Sequence, residues 1–229
     1  MKKLLDIGCG PGAIVNIGYY NKFKDTQIYG IDNLKKNIGR IKKRFPQGTF
    51  TYSAAEKLPF KDNYFDYILA RHVLEHVDDI NKALSEIKRV TKSGAVIMIA
   101  VPHEKMETVM KNLDPHYLGA GHHHQRMFTQ KVIVSLLKKH GFKIKKVSKE
   151  KWPLFVYTTS FYFLSRLTKH VEMEEQTGAF RLGKFRYLQA KSIYPILDII
   201  SSILSGLNYT IPFFNNIIPF EIELIAEKK

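Results

Sequence analysis

Two patterns of hydrophobic and polar residues alternate along the first 150 residues of the chain. Short runs of consecutive apolar residues predict strands buried on both faces, and apolar residues at every third or fourth position predict amphipathic helices. The predicted strands cover residues 4–7, 27–32, 49–53, 67–70, 95–101 and 142–148. The predicted helices cover 13–23, 34–44, the segment from Asp78 or Asp79 to Gly94, and 129–139. This alternation favours an α/β domain built on a parallel sheet.

The pattern changes further along the chain. Residues 151–219 are rich in aromatic side chains, and at 193–207 apolar residues surround a narrow polar stripe, which predicts a helix with a wide apolar face. That helix is too short, and too closely flanked by prolines, to predict a membrane span. Residues 220–226 alternate apolar and acidic residues and predict a last strand. We therefore expect a core at 1–150 that is completed by 220–229, with 151–219 inserted between its last two strands.

A glycine-rich turn follows the first predicted strand. The sequence Asp-Ile-Gly-Cys-Gly-Pro-Gly at 6–12 starts with an acid at the end of the strand, and Gly8, Gly10 and Gly12 allow the backbone to turn sharply and to approach a ligand closely. Ligands of parallel sheets bind at this carboxyl edge. The second strand ends in Asp32, about twenty residues further on, which is the spacing at which a carboxylate reaches ribose hydroxyls.

Together with three later blocks, these residues resemble the class I S-adenosylmethionine-dependent methyltransferases, and among them the small-molecule type 11-like enzymes. The blocks are Ala-Glu-Lys-Leu-Pro-Phe at 55–60, Tyr-Phe-Asp-Tyr-Ile at 64–68 and Val-Leu-Glu-His-Val-Asp at 73–78, in family order and spacing. A nicotinamide-binding Rossmann domain is the alternative, but its glycines follow the pattern Gly-x-Gly-x-x-Gly. The resemblance implies a Rossmann-like sheet of seven strands, the last one antiparallel, flanked by helices, with a mainly helical insertion before that strand.

The resemblance also implies S-adenosylmethionine as cofactor, S-adenosylhomocysteine as product, and a set of cofactor-binding residues. These are Asp6, Gly8, Cys9, Gly10, Gly12, Asp32, Asn33, Ala54, Ala55, Glu56, Arg71 and His72. Asp6 is expected to orient the glycine turn and the methionine end of the cofactor, and Asp32 to bind the ribose. The family usually has Gly-Asp-Ala where this chain has Ser53-Ala54-Ala55, so adenine recognition is expected to rest on backbone groups near Ala55 and on apolar packing.

The chain departs from the family pattern at its front. Family members usually have one or two helices before the first strand, which cover the cofactor, whereas this chain enters that strand at Leu4. Either the start lies upstream or the cofactor site is more open. One hypothesis is that the insertion at 151–219 supplies part of the cover as a lid. The alternatives for this insertion are a membrane-facing cap, a structural cap and a dimer face.

Histidines are frequent in the polar segment after Pro102, which contains His103, His116 and the run at 122–124. A general base is one interpretation, because imidazole titrates near neutrality, and it makes His116 and His122 the candidate catalytic residues. A structural histidine in a polar loop is the other. No metal site is expected, because adjacent histidines cannot all face one ion and no cysteine or carboxylate stands at a diagnostic spacing from them.

The net charge of +15 and the pI of about 9.7 favour attraction to polyanions such as nucleic acid or an anionic membrane surface. Solvated helix faces account equally well for the two basic runs, at 35–44 and 138–151. The single cysteine, Cys9, excludes an internal disulfide and is expected to be a small packed residue rather than a nucleophile. Without an apolar signal segment at the N-terminus, a cytoplasmic protein is expected, with membrane association as a further hypothesis.

These observations favour a methyltransferase that acts on a small, apolar or lipid-linked acceptor. Two alternatives stay open, namely an RNA methyltransferase, which the basic charge favours, and a cofactor-binding regulatory protein without activity. Residues 70–73 read Ala-Arg-His-Val, whereas family enzymes that methylate base amines have Asn/Asp-Pro-Pro-Tyr at this point. The difference argues against methylation of base amino groups.

Overall fold

A computed structural model describes residues 1–12, 19–23, 25–105, 108, 124–151, 171–174, 179–182, 185–188 and 219–228. The chain separates into two compact units. One consists of Met1–Lys149 with Glu221–Lys229, and the other of Glu150–Phe220. The glycine-rich turn and its surroundings lie in the first unit, and the functional roles assigned above to the two regions stay predictions.

The described elements of the two units are strands and helices. The strands are β1 Lys2–Ile7, β2 Thr26–Asp32, β3 Thr49–Tyr52, β4 Phe65–Arg71, β5 Thr91–Pro102, β6 Phe142–Lys151, β7 Val171–Glu174, β8 Ala179–Leu182, β9 Phe185–Leu188 and β10 Pro219–Lys228. The α-helices are α1 Lys35–Arg44, α2 Ile80–Val90 and α3 Gln130–Lys139.

Seven of these strands form one sheet in the order β3-β2-β1-β4-β5-β10-β6. β1 pairs in parallel with both β2 and β4, β3 joins β2 in parallel, and β5 joins β4 in parallel. β10 runs antiparallel to β5, with Glu221 opposite Pro102 and Glu223 opposite Ala100. The prediction of a seven-stranded Rossmann-like sheet with an antiparallel last strand is confirmed.

Helices cover both faces of this sheet. Successive residues of a strand point to opposite faces, so neighbouring residues of β1 pack against different helices. Leu4 packs in a cluster with Ile38 and Ile41 of α1. Leu5 packs in a larger cluster on the other face, which contains the buried residues Leu84, Ile87, Ile133 and Leu137 of α2 and α3. The two apolar layers hold the sheet between them, and the carboxyl ends of β1, β2 and β4 lie side by side at one edge.

The end of α2 differs from the prediction. Asp79 caps the helix as expected, since its carboxylate accepts a hydrogen bond from a backbone N–H of the first turn. The predicted stop at Gly94 is wrong, because the helix ends at Val90 and β5 begins directly at Thr91. Thr91 pairs with Phe65 of β4, and this pairing extends the strand four residues beyond its predicted start.

Two regions that were expected to be helical are described only in part. Within the predicted helix at 13–23, Tyr19–Lys22 form a 3₁₀ turn, and residues 13–18 lie outside the described residues. Within 151–219, the described residues are strand rather than helix, and β7, β8 and β9 form a three-stranded antiparallel sheet. The physical reason is local, because Val-Glu-Met-Glu in β7 alternates with the two-residue period of a strand. The predicted helix at 193–207 lies outside the described residues.

No helix in the described part of the chain combines the length and the apolar character that crossing a membrane requires.

Candidate functional site

The glycine turn leaves the sheet directly after β1. Gly8, Gly10 and Gly12 all adopt positive φ angles, of 69°, 57° and 93°, which side chains disfavour. A Cβ atom on Gly8 would lie 2.3 Å from Cγ2 of Val73, so this glycine is required by close packing. A Cβ atom on Gly10 would meet no atom of the described residues within 4 Å, so among these residues open space lies beside this part of the turn. The first glycine is therefore required by packing, whereas the role of the second in binding a ligand stays a prediction.

Cys9 fastens the turn to the neighbouring strand. Its N–H donates a hydrogen bond to the carbonyl oxygen of Ile31 in β2 at 2.9 Å, and its side chain is buried. Burial raises the pKa of the Cys9 thiol well above its ordinary value, so the thiol is not a nucleophile at neutral pH. Its placement agrees with the expectation of a small packed residue.

Asp32 ends β2 beside the turn and is largely buried. Its Oδ2 accepts a hydrogen bond from the N–H of Gly10 at 2.9 Å, and its Oδ1 accepts from the N–H of Leu34 at 2.9 Å and from Nδ2 of Asn37 at 3.0 Å. A carboxylate offers about four acceptor positions, so these three donors leave room for about one more. Asp32 therefore ties the glycine turn to β2 and retains some capacity for a ligand hydroxyl.

Asp6 lies under the turn near the end of β1 and is 1% exposed. The hydroxyl of Tyr20 donates a hydrogen bond to its Oδ2, whereas its Oδ1 has no hydrogen-bond partner among the described residues. Burial, only partly offset by the hydrogen bond from Tyr20, raises the pKa of Asp6 to about 7. An orphaned buried carboxylate oxygen is a position at which a ligand with a hydrogen-bond donor or a positive charge would be favoured.

The segment after β3 lies at the same edge, because the N–H of Ser53 donates to the backbone oxygen of Asp32 at 3.0 Å. Ala54 is exposed and Ala55 is buried. Glu56 points its Oε1 at the backbone N–H of Asp78 at 2.8 Å, in the turn that precedes α2. Its described contacts are therefore structural, while Ala54 is an exposed residue at this edge.

Asn33 follows Asp32 directly and is exposed. The next residue, Leu34, has an exposed side chain and donates its N–H to Asp32. Both residues belong to the loop that joins β2 to α1, so Asn33 stands at the edge where the glycine turn lies.

Arg71 and His72, at the end of β4, contact the last strand. Nη1 of Arg71 lies 2.9 Å from Oε1 of Glu223, and its Nη2 lies 3.0 Å from Oε1 of Glu221. Nε2 of His72 lies 3.0 Å from Oε2 of Glu221, and Nδ1 of His72 lies 3.4 Å from Oε1 of Glu75. Burial opposes a charge on the ring, but the carboxylates of Glu221 and Glu75 outweigh it and raise the pKa of His72 to about 9. The ring is therefore protonated at neutral pH and is not a general base.

Sequence reasoning did not include Glu221 and Glu223 in the site. Their acidic positions alternate with apolar ones, a signal that was used only to predict a strand. The antiparallel register of β10 brings these two carboxylates to the end of β4. Glu75 was part of a family block, but its complete burial could not be read from the sequence.

The histidines of the polar segment fall into three groups. The candidate catalytic residues His116 and His122 lie outside the described residues. His103 is buried, and its Nδ1 accepts a hydrogen bond from the N–H of Lys105 at 3.1 Å. Burial and the nearby charge of Lys149 lower the pKa of His103, which indicates a neutral structural residue. His124 instead lies beside the turn that follows β4, where its ring contacts that of His76 with centroids 4.6 Å apart.

The residues of this edge fit S-adenosylmethionine. Gly10 leaves space beside its backbone, the orphaned oxygen of Asp6 suits a cationic amine, and Asp32 has capacity for a ribose hydroxyl. The positions implied by the resemblance lie at the carboxyl ends of β1, β2 and β4 and on the loops that follow β1, β2, β3 and β4, and their roles in binding stay predictions.

Comparison with known proteins agrees with this geometry. Residues 5–99 match the model of a family described as a methyltransferase domain. An uncharacterised protein of Methanocaldococcus jannaschii is 31% identical over 172 residues, which cover 72% of this chain and 61% of that protein. A ubiquinone/menaquinone biosynthesis C-methyltransferase of Campylobacter jejuni is 29% identical over 101 residues, which cover 42% of this chain and 43% of the relative. The chain thus spans less than two thirds of the length of these curated relatives.

Among solved structures, phosphoethanolamine N-methyltransferase 2 of Haemonchus contortus in complex with S-adenosylmethionine superposes with a TM-score of 0.57 at 20% identity. The superposition covers 99% of this chain and 48% of that one, and it shows a shared fold. The sheet order and the glycine turn agree with this family match, so residues 5–99 belong to a methyltransferase domain with the class I S-adenosylmethionine-dependent fold.

Proposed function

We propose that this chain transfers the methyl group of S-adenosylmethionine to a small, apolar or lipid-linked acceptor. The observation that carries the proposal is the bond between Gly10 and Asp32, which fixes the open backbone of the glycine turn next to a carboxylate at the correct edge of the sheet. The cofactor supplies an activated methyl group on a sulfonium. The protein therefore has to bind the cofactor, to orient the acceptor and to exclude water.

Three residues at this edge of the sheet have separate roles in the proposal. Asp32 holds the turn and offers its remaining acceptor capacity to a ribose. Asp6 offers its free oxygen to the cationic methionine end of the cofactor, and Gly10 lets the ligand approach. Holding an acceptor atom in line with a reacting methyl group at about 3 Å can contribute several kcal/mol through orientation alone.

The nature of the acceptor is supported by two independent facts. The relative from C. jejuni is named for C-methylation in ubiquinone and menaquinone biosynthesis, and these quinones are apolar molecules. The insertion at 151–219 is rich in aromatic and apolar residues, and such an excess is typical of a binding surface for an apolar ligand. We extend the proposal to a site of action in the cytoplasm, at or near an anionic membrane surface.

A labelling experiment tests the proposal. The protein is incubated with methyl-labelled S-adenosylmethionine and a whole-cell extract, and the products are partitioned between organic solvent and water. Label in the organic phase supports an apolar acceptor. Asp32→Ala should abolish most of the label, whereas Asp62→Ala, at an exposed acid that pairs with Arg89, should retain it. Equal labelling by the two variants would contradict the role of the Asp32 site.

The net charge of +15 favours an RNA methyltransferase as the second candidate. In the same experiment, label that stays in water and is lost on ribonuclease treatment supports this candidate. A separate measurement, isothermal titration with S-adenosylmethionine, tests the third candidate. The absence of a heat of binding would support a regulatory protein without activity.

A further inference from the structure

Three potential metal ligands meet where the turn after β4 approaches the residues that precede α3. Glu75 and His76 belong to the turn, and His124 comes from the other segment. One ligand atom of each residue lies within 4.8 Å of the other two. Nearly fifty residues separate the pair from His124, so only the tertiary fold brings these groups together.

The state of Glu75 indicates that the cluster attracts a cation. Its side chain is 0% exposed, and neither carboxylate oxygen has a hydrogen-bond partner among the described residues. Its Oε1 lies 3.4 Å from Nδ1 of His72 and 4.0 Å from Nε2 of His76. Buried carboxylates are normally paired and hydrogen-bonded or coordinate a metal, because taking an ionised carboxylate out of water is costly. The His72 ring supplies a charged neighbour for Oε1, but both oxygens of Glu75 keep acceptor capacity, which is a second observation that points to a ligand.

Hydrogen bonds hold the two segments in place. The N–H of Gln125 donates to the backbone oxygen of Glu75 at 2.8 Å. The guanidinium of Arg126 donates to the backbone oxygens of Leu74 at 3.1 Å and of Val77. The residue that follows His124 is therefore hydrogen-bonded to the backbone of Glu75, which holds the two segments side by side.

We propose that Glu75, His76 and His124 form a site for a transition metal, with zinc as the ion that it fits. Two imidazoles and one carboxylate are a ligand set that zinc accepts, and a three-ligand site leaves a fourth position for water or another ligand. Bonds of about 2.0 to 2.2 Å around a tetrahedral zinc place its ligand atoms about 3.4 Å apart. The cluster has to contract by at most about 1.4 Å, which rotation of the partly exposed His76 and His124 rings can provide.

The proposal departs from the expectation of no metal site. That expectation considered the run at 122–124 alone and looked for a carboxylate at a diagnostic spacing in the sequence. The structure instead places one histidine of the run beside a glutamate and a histidine from the turn that follows β4. The proposal is independent of methyl transfer, and it concerns metal binding alone.

Measurement of zinc binding to the full chain tests the proposed metal site. After treatment with a chelator, the protein is titrated with zinc in competition with a chromophoric chelator, and metal content is measured after dialysis. One zinc per chain is expected. Glu75→Gln, His76→Ala and His124→Ala should each weaken binding at least about tenfold, since even outer-shell partners of metal sites contribute about this much. His140→Ala is the matched control, because His140 bonds to Asn81 away from the cluster, and it should leave affinity unchanged.

Thermal unfolding with and without zinc supplies a readout that does not depend on activity. Zinc should raise the midpoint of the wild-type protein, and Glu75→Gln should lose this rise while still unfolding cooperatively. The proposal is overturned by a wild-type protein that binds no zinc, or by binding that persists in Glu75→Gln and disappears in His122→Ala or His123→Ala. Titration of the same samples with S-adenosylmethionine separates this failure from a failure of the proposed function.

Discussion

Replacing Asp6 by asparagine tests whether the carboxyl group under the glycine turn destabilises the fold when it ionises. Asp6 is 1% exposed, and burial raises its pKa from 3.8 to about 7. Because the folded-state pKa is raised, the folded protein binds more protons than the unfolded chain between these two values, and stability falls as the pH rises through this window. Asparagine has no such proton, so the variant does not show this loss.

The magnitude follows from the part of the pKa difference that lies above pH 5. Between pH 5 and the raised pKa of about 7, stability falls by about 1.4 kcal/mol per pH unit, so ionisation of Asp6 should remove about 3 kcal/mol from the free energy of unfolding of the wild-type protein by pH 8. For a chain of this size, that corresponds to a change of roughly 6 to 12 °C in melting temperature. The difference in stability between Asp6→Asn and wild type should therefore move by this amount in favour of the variant.

Urea unfolding followed by circular dichroism at pH 5, 6, 7 and 8 measures this difference. Asp66→Asn is the matched control, because the hydrogen bonds that Asp66 accepts from Lys92 and from the N–H of Lys3 outweigh its partial burial and lower its pKa. That carboxyl group is ionised in both states above pH 5, so its variant should differ from wild type by a constant amount. A constant difference for Asp6→Asn as well would refute the reasoning.

Three further predictions concern the same edge of the sheet. Asp32→Ala should weaken S-adenosylmethionine binding roughly ten- to a hundredfold, because a buried charged hydrogen-bond partner contributes about 1.5 to 3 kcal/mol; an unchanged affinity by isothermal titration would remove Asp32 from the ribose role. Glu221→Gln should lower the pKa of His72 from about 9 towards 6.5, as followed by NMR of the ring protons, and a value that stays near 9 would contradict the ion pair. Since the folded-state pKa is raised, the stabilisation by this pair is present below about pH 6.5 and is lost as the pH rises through about 9. Gly8→Ala should lower the free energy of unfolding by about 1 to 3 kcal/mol through overpacking, and Gly10→Ala should lower it less; equal losses in urea would disagree with the contacts described.

The fold was predictable because its signals are local. The apolar runs of β1, β2 and β5 are strands buried on both faces, and their hydrophobicity alone identifies them. The boundary of α2 was not predictable in the same way. Pairing of Thr91 with Phe65, residues from two different strands, sets the end of that helix.

The hydrophobic pattern and the family blocks identified the glycine turn, its acid at Asp6 and the second acid at Asp32. Residues that are close in sequence determine the local backbone conformation and the spacing along the chain. Only tertiary structure decided which side chains meet beyond them. The register of β10 brings Glu221 to His72. The fold also buries the carboxylate of Glu75, which accepts no hydrogen bond from the described residues, beside a histidine nearly fifty residues away. The reason is physical, because burial and contacts between distant segments depend on how the sheet and helices pack, which no local spacing specifies.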